Sequence, residues 1–168
     1  MKTYTPNIFE ISIIDNQVTN IFDLMENKNI GNFSFPLTGN QFKIYVLTEK
    51  NNIIYVGTTK SSIKNRLRYG LKMNVKNGYH GYKWKNLSTV RLFVWCFDDF
   101  DKEKIEFIEA ELVFLIRTST GKWPTHQNEI HFNNLFIPKW QQIVEELYNQ
   151  ITDRLENNIK KILGTRKH

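Results

Sequence analysis

"KIYVLTEKNNIIYVG", residues 43–57, reads as a hairpin. Two runs rich in β-branched and aromatic residues, 42–48 and 52–57, flank a short polar stretch around Lys50. A connection that short makes the strands antiparallel. With the turn centred near Lys50, Ile44 faces Val56 and Val46 faces Ile54, giving one aliphatic face to a core. Tyr45 then faces Tyr55 on the opposite side, with Cβ atoms roughly 4.5–5.5 Å apart. On this reading the two phenols stand side by side, outside the core. Gly57 follows at the strand end, where the missing side chain lets another group approach the backbone.

Working outward, residues 61–76 predict a helix. Ser61 or Ser62 serves as its N-cap, and Ile63, Leu67, Leu71 and Val75 recur every four positions. "TVRLFVWCF" (89–97) is a buried strand. Residues 102–118 are a helix through Ile105, Ile108, Leu112, Leu115 and Ile116, and "TGKWPTHQN" (120–128) is a loop. Before the hairpin, "EISII" (10–14) suggests a strand and "NQVTNIFDLMEN" (16–27) a short helix. Residues 138–163 make a long amphipathic helix striped by Trp140, Ile143, Val144, Leu147, Ile151, Leu155, Ile159 and Ile162. The fold class expected is α/β (α+β): a small, mainly antiparallel sheet of three strands flanked by helices. It divides into an N-terminal extension (1–40), a central unit (41–134) and a C-terminal helix (135–168). Four-residue spacing in the last helix favours docking on a globular surface over a coiled coil. We therefore expect it to pack on residues 1–40 of its own chain, and a monomer.

The 168 residues are 40% hydrophobic, enough for a real core. The single cysteine, Cys96, excludes an internal disulfide and points to a reducing compartment. The start of the chain lacks the apolar run of a signal peptide, and "LVFLI" (112–116) is far too short to span a bilayer. These features predict a cytoplasmic protein away from membranes. The net charge is +6. Between Lys60 and Arg91 lie nine Lys and Arg residues and no acid, with Tyr69, Tyr79, Tyr82 and Trp84 among them. A basic run is usually a solvated face. One this long, free of acids and broken by aromatics, suits a nucleic-acid backbone better. Residues 98–111 reverse the sign, with seven acids against two lysines.

Arg66 follows Tyr55 by eleven positions, in the first turns of the next helix. From there it can offer a planar fork of donors to a phosphate over the strand ends. Glu109 and Glu111 lie on a helix that should cover the same sheet. Two tyrosines, an arginine and a carboxylate suit phosphodiester hydrolysis.

Together these residues resemble the GIY-YIG nuclease superfamily. "KIY" (43–45) is similar to its first motif and "YVG" (55–57) to its second. Arg66 falls where the family's arginine belongs. Glu111, with Leu115 beyond it, resembles the metal-binding glutamate, and Asn128 in "HQNE" the closing asparagine. The resemblance spans about residues 42–130. There are departures. Lys43 replaces the first glycine of the motif. Gly70 stands where many relatives carry a histidine, with His80 the nearest substitute or simply a surface or capping histidine. Glu109 competes with Glu111, and Arg68 with Arg66; in each pair only family spacing favours Glu111 and Arg66. His126 and His131 suit no standard metal site and read as loop residues.

The resemblance implies a metal-dependent DNA endonuclease. A single Mg²⁺ or Mn²⁺ would be held by Glu111. Tyr45, or a water it holds, would be the general base, its phenolate favoured by Arg66, the metal and nearby lysines. Tyr55 would position water or phosphate, and Asn128 would hold the glutamate or its loop. Lys60, Lys64, Arg68, Lys72, Lys83 and Lys85 would grip the backbone without reading sequence. A catalytically weak nucleic-acid-binding module of the same fold is the alternative. A protein-interaction domain built on the C-terminal helix is a third reading.

Overall fold

The computed structural model describes residues 3–73, 81–127, 130, 132 and 137–164, with side chains up to residue 157. His80 and Asn128, two expected site residues, lie outside these, as do Tyr79 and His131.

The chain runs β1 (Asn7–Ile14), β2 (Gln17–Asp23), β3 (Lys28–Ile30), β4 (Phe42–Glu49), β5 (Asn52–Thr59), α1 (Ile63–Lys72), β6 (Thr89–Phe97), α2 (Lys102–Thr120) and α3 (Pro138–Gly164). All six strands form one antiparallel sheet in the order β3-β2-β1-β6-β4-β5. The expected sheet of three, β4, β5 and β6, is therefore only half of it. The N-terminal residues do not lie against the core as an extension, because β1 pairs with β6 and continues the sheet. The helix expected over 16–27 is instead β2 with the turn into β3. Its local signal is Asp15-Asn16. Both have positive φ (51° and 57°) and join Ile14 to its partner Gln17, the two-residue turn that suits a twisted hairpin.

The hairpin register also differs from expectation. Tyr45 pairs with Gly57, and Leu47 with Tyr55. A bulge between Leu47 and Thr48 leaves Ile54 without a partner across the ladder. The offset is two residues at Tyr45, and even offsets preserve the face. Tyr45 and Tyr55 thus remain neighbours, as a diagonal pair with ring centroids 5.8 Å apart.

Those phenols are not outside the core. β4 is buried over six consecutive residues, because both faces of the sheet are covered. On one face Ile8, Ile44, Val46, Val56 and Trp95 pack against Ile105, Ile108 and Leu112 of α2 and the α3 stripe Ile143, Val144, Leu147, Ile151 and Leu155. On the other, Phe9, Ile11, Tyr45, Leu47, Tyr55 and Leu92 pack against Ile63, Leu67 and Leu71 of α1, and against Tyr82 and Trp84. Tyr82 and Trp84, which interrupt the basic stretch, are core residues whose rings stack 4.5 Å apart. Tyr69 alone of the described aromatics in that stretch is well exposed.

α3 docks within its own chain, but mainly on α2 and the sheet rather than on residues 1–40. The N-terminal contribution includes Ile8, Leu24, a contact of Arg154 with Met25 Sδ (3.5 Å) and a clasp at Tyr4. Tyr4 N–H donates to Glu146 (3.0 Å), and Gln150 Nε2 donates to Tyr4 C=O (2.7 Å). Gln150 Oε1 also accepts the Trp95 indole N–H at 2.7 Å. The stripe from Ile143 to Leu155 is buried in the fold, while Ile159 and Ile162 lie outside the described side chains.

Candidate active site

The site forms where β4 and β5 meet the start of α1. Gly57, opposite Tyr45, has no side chain for a reason of space. A Cβ there would lie 2.7 Å from Tyr45 Cζ and Oη and from Tyr55 Cε1. The Tyr45 ring lies across the glycine, and Tyr55 sits beside it.

α1 begins at Ser62, whose hydroxyl caps the Asn65 N–H, and this places Arg66 one turn in. Arg66 Nε–H donates to the Tyr45 hydroxyl at 3.0 Å. The Tyr45 and Tyr82 hydroxyls are hydrogen-bonded at 3.0 Å, and the Tyr82 hydroxyl donates to the Arg66 carbonyl at 3.3 Å. A phenol carries one proton. With the Tyr82 proton on the carbonyl, Tyr45 is the donor between the two phenols. The chain then runs in one direction, from the Arg66 side chain through both tyrosines to its own main chain.

Electrostatically Tyr45 and Tyr55 are held in the neutral form. Burial holds Tyr45 well above the ordinary tyrosine range, Tyr82 adds to this, and Arg66 offsets only part of it. Tyr55 is raised by burial and by Tyr45. Of the three influences expected to favour a Tyr45 phenolate (Arg66, a metal and nearby lysines), Arg66 alone does not suffice: desolvation of the anion outweighs one guanidinium.

α2 supplies the carboxylate. Thr58 Oγ1 donates to Glu109 Oε2 at 3.1 Å, and Glu109 is near enough to Arg66 for their charges to interact. Burial pushes the Glu109 carboxyl up to about 7, against the pull of the Thr58 hydrogen bond and Arg66. Two residues on, Glu111 points about 200° away around the helix. The structure thus brings Glu109 to the cluster and leaves Glu111 out of it, which corrects the preference for Glu111. The two could be separated only by knowing which side of α2 meets β5.

The 121–127 loop closes the site from the β5 edge. His126 N–H donates to the Ile54 carbonyl freed at the bulge (2.8 Å). The Gln127 side chain accepts from Val56 N–H (2.9 Å) and donates to Val56 C=O (3.0 Å). A carboxamide bonded twice to one residue behaves like a short piece of added strand. Sequence reasoning passed over Gln127, Thr58 and Tyr82. Only the neighbour of Gln127, Asn128, carried a family signal.

Lys60, Lys64, Arg68 and Lys72 recur every four positions and are exposed. Arg66, Arg68 and Lys72, with Ser61, Asn65 and Tyr69, line a groove of about 480 Å³ beside the tyrosines. Lys60 lies over the Phe42 ring and Lys64 bonds Asn32. Lys83 donates to the Gln127 carbonyl (3.3 Å), and Lys85 is half-buried. Lys43, at the glycine position of the first motif, is buried, and its ammonium donates to the carbonyls of Gly39, Gln41 and Ser61 at 2.7, 2.9 and 3.2 Å. It pins the strand entry to the β5–α1 turn.

The family model described as the GIY-YIG catalytic domain matches residues 41–123. Residues 41–123 are a GIY-YIG domain. The domain belongs to a nuclease superfamily whose members are typically endonucleases and generally depend on a divalent metal. The match takes in β4, β5, α1, β6 and α2, hence Tyr45, Tyr55, Arg66, Tyr82 and both glutamates. β1–β3 and α3 lie beyond it. No curated protein and no solved structure matches the chain. Among the described residues no helix is long and apolar enough to cross a membrane, and no group of three or more His, Cys, Asp or Glu is placed to hold a metal. Among the described residues, Glu109 is the carboxylate that the cluster offers to a GIY-YIG ion. Glu109 fits that role: it is partly buried, takes an orienting bond from Thr58, and would leave phosphate and water oxygens to complete the shell.

Proposed function

We propose that this protein is a DNA endonuclease that hydrolyses phosphodiester bonds with one divalent cation, Mg²⁺ or Mn²⁺. The observation that carries the reading is convergence. Tyr45, Tyr55, Arg66 and Tyr82 meet on the α1 face of β4 and β5, and Glu109 reaches Thr58 at the end of β5 from α2, within electrostatic range of Arg66, beside a groove lined by arginines and a lysine.

Arg66 holds the scissile phosphate, with its guanidinium aimed by Tyr45. Tyr45 stays protonated in this arrangement and acts as a donor and spacer. Tyr55 packs beside it and fixes its ring over Gly57. Glu109 holds the cation, and its carboxyl near 7 makes the ligating form available around neutrality. When bound, the ion supplies Lewis acidity at the phosphate and charge for the leaving oxygen. Lys60, Lys64, Arg68 and Lys72 track the backbone along α1, and Lys83 and Lys85 extend the basic surface. The burial of Tyr45 favours a second reading, a binding module with weak catalysis.

Supercoiled plasmid incubated with Mg²⁺ or Mn²⁺ separates the two. The endonuclease reading expects nicking by the parent and by Glu111→Ala, and none by Glu109→Ala, with plasmid binding kept in all three. Binding without nicking in the parent supports the module. Loss in Glu111→Ala with retention in Glu109→Ala refutes the carboxylate assignment.

A further inference from the structure

Tyr82 enters the site in an unusual way. Its ring occupies the space a side chain on α1 would fill. A Cβ at Gly70 would lie 1.9 Å from Tyr82 Cε2 and 2.3 Å from Cδ2 and Cζ. The segment is latched there by its backbone: Tyr82 N–H donates to the Gly70 carbonyl at 2.9 Å. Gly81 just before it has φ +70°, and a Cβ there would meet the Gly70 and Met73 carbonyl oxygens at 2.6 and 2.8 Å. Two glycines from distant positions thus clear the way for one phenol, which Trp84 backs by stacking.

The hydroxyl delivered this way is the last link in the chain from Arg66 through Tyr45. We infer that Tyr82 is a positioning residue for the phosphodiester reaction, supplied by the segment after α1 in place of a residue at position 70, and that it orients Tyr45 and through it the Arg66 guanidinium. The inference rests on the endonuclease reading for its catalytic part only. The alternative role for a buried tyrosine is packing alone. The two differ in what the hydroxyl does, since packing needs only the ring.

The test is Tyr82→Phe, which keeps the ring and removes the hydroxyl. Three quantities are read in the full-length protein: kcat and KM for plasmid nicking, thermal unfolding, and protection of the Arg66 Nε–H from solvent exchange by ¹H–¹⁵N NMR. A positioning role expects kcat to fall roughly 10- to 100-fold with KM little changed, because misalignment is felt in the reaction step. It also expects Arg66 Nε–H exchange to quicken while the melting temperature barely moves. In a second pair, Tyr82→Ala loses activity and Tyr82→Ala with Gly70→His regains part of it. A side chain at position 70 starts in the space that the Tyr82 ring vacates, its Cβ 2.3 Å from where Cζ stood. Unchanged kcat and unchanged Arg66 exchange in Tyr82→Phe overturn the proposal. If the parent nicks nothing, the endonuclease reading fails, and Arg66 exchange still decides whether Tyr82 orders Tyr45 and Arg66.

Discussion

Replacing Glu109 with glutamine should make the protein more stable above neutral pH and leave it unchanged in acid. Thr58 keeps its acceptor in the variant, so the change removes the titration and little else. Burial moves the Glu109 carboxyl from its ordinary 4.5 to about 7. At 1.36 kcal/mol per pH unit, charging it in the folded state costs about 3 kcal/mol. The sign follows from where the proton sits. Below the lower value both folded and unfolded chains are protonated, and the penalty is absent. Between the two values the folded chain keeps a proton that the unfolded chain has lost, so stability falls as pH rises. Above about 7 the whole penalty applies. For a chain of this size, about 3 kcal/mol corresponds to roughly 6–12 °C in Tm. Thermal unfolding of parent and Glu109→Gln in metal-free buffer, from about pH 4 to about pH 8.5, should show the gap opening between those limits. Added Mg²⁺ or Mn²⁺ should narrow the gap at high pH by stabilising the parent alone. A difference that is flat across the range would mean that Glu109 is not a shielded carboxyl, and its assignment as the cation ligand would lose its physical basis.

Gly57→Ala places a methyl group 2.7 Å from both tyrosine rings, and should destabilise the fold by about 1–3 kcal/mol in urea unfolding while sharply reducing nicking. Lys43→Met keeps the stem but leaves the carbonyls of Gly39, Gln41 and Ser61 without their donor; a loss of about 1–3 kcal/mol is expected by the same assay. Neutralising Lys64, Arg68 and Lys72 together to glutamine should lower the slope of log affinity against log salt by about 3 and weaken binding to unrelated sequences alike. An unchanged slope would place the nucleic acid on another face.

The local parts of this fold were readable, and the relations between them less so. The spans of β4, β5, β6 and α2 came from periodicity alone, as did the start of α1. β2 was lost because "NQVTNIF" fits a helical stripe as well as a strand, and only the positive φ pair Asp15-Asn16 reveals the turn. The hairpin register failed by two residues because an alternating pattern is blind to even shifts and cannot see a bulge. Burial of Tyr45 was missed for a related reason: whether a second face is covered depends on α1 and the 82–87 segment, which no pattern within the strand records. The choice between Glu109 and Glu111 needed the roll of α2 on β5. The burial of Tyr82 is not legible in the sequence, because its environment depends on a glycine twelve residues earlier.

The clasp at Tyr4 bears on the order in which the molecule is made. As the chain leaves the ribosome, β1 appears early. Yet its face beneath α3, at Ile8, waits for the last helix, and the bonds to Tyr4 join positions up to 146 apart. The residues of the candidate active site are drawn from a much shorter stretch, Lys43 to Gln127, and all have been synthesised before α3 begins. Synthesis therefore delivers the chemistry first and the seal last. While α3 is still being translated, the nascent protein carries the residues of the candidate site on a sheet with one bare apolar side, exposed to aggregation and proteolysis. Long-range closures of this kind are slow to form, so the rate at which α3 finds Tyr4 and Trp95 sets how long that vulnerable interval lasts.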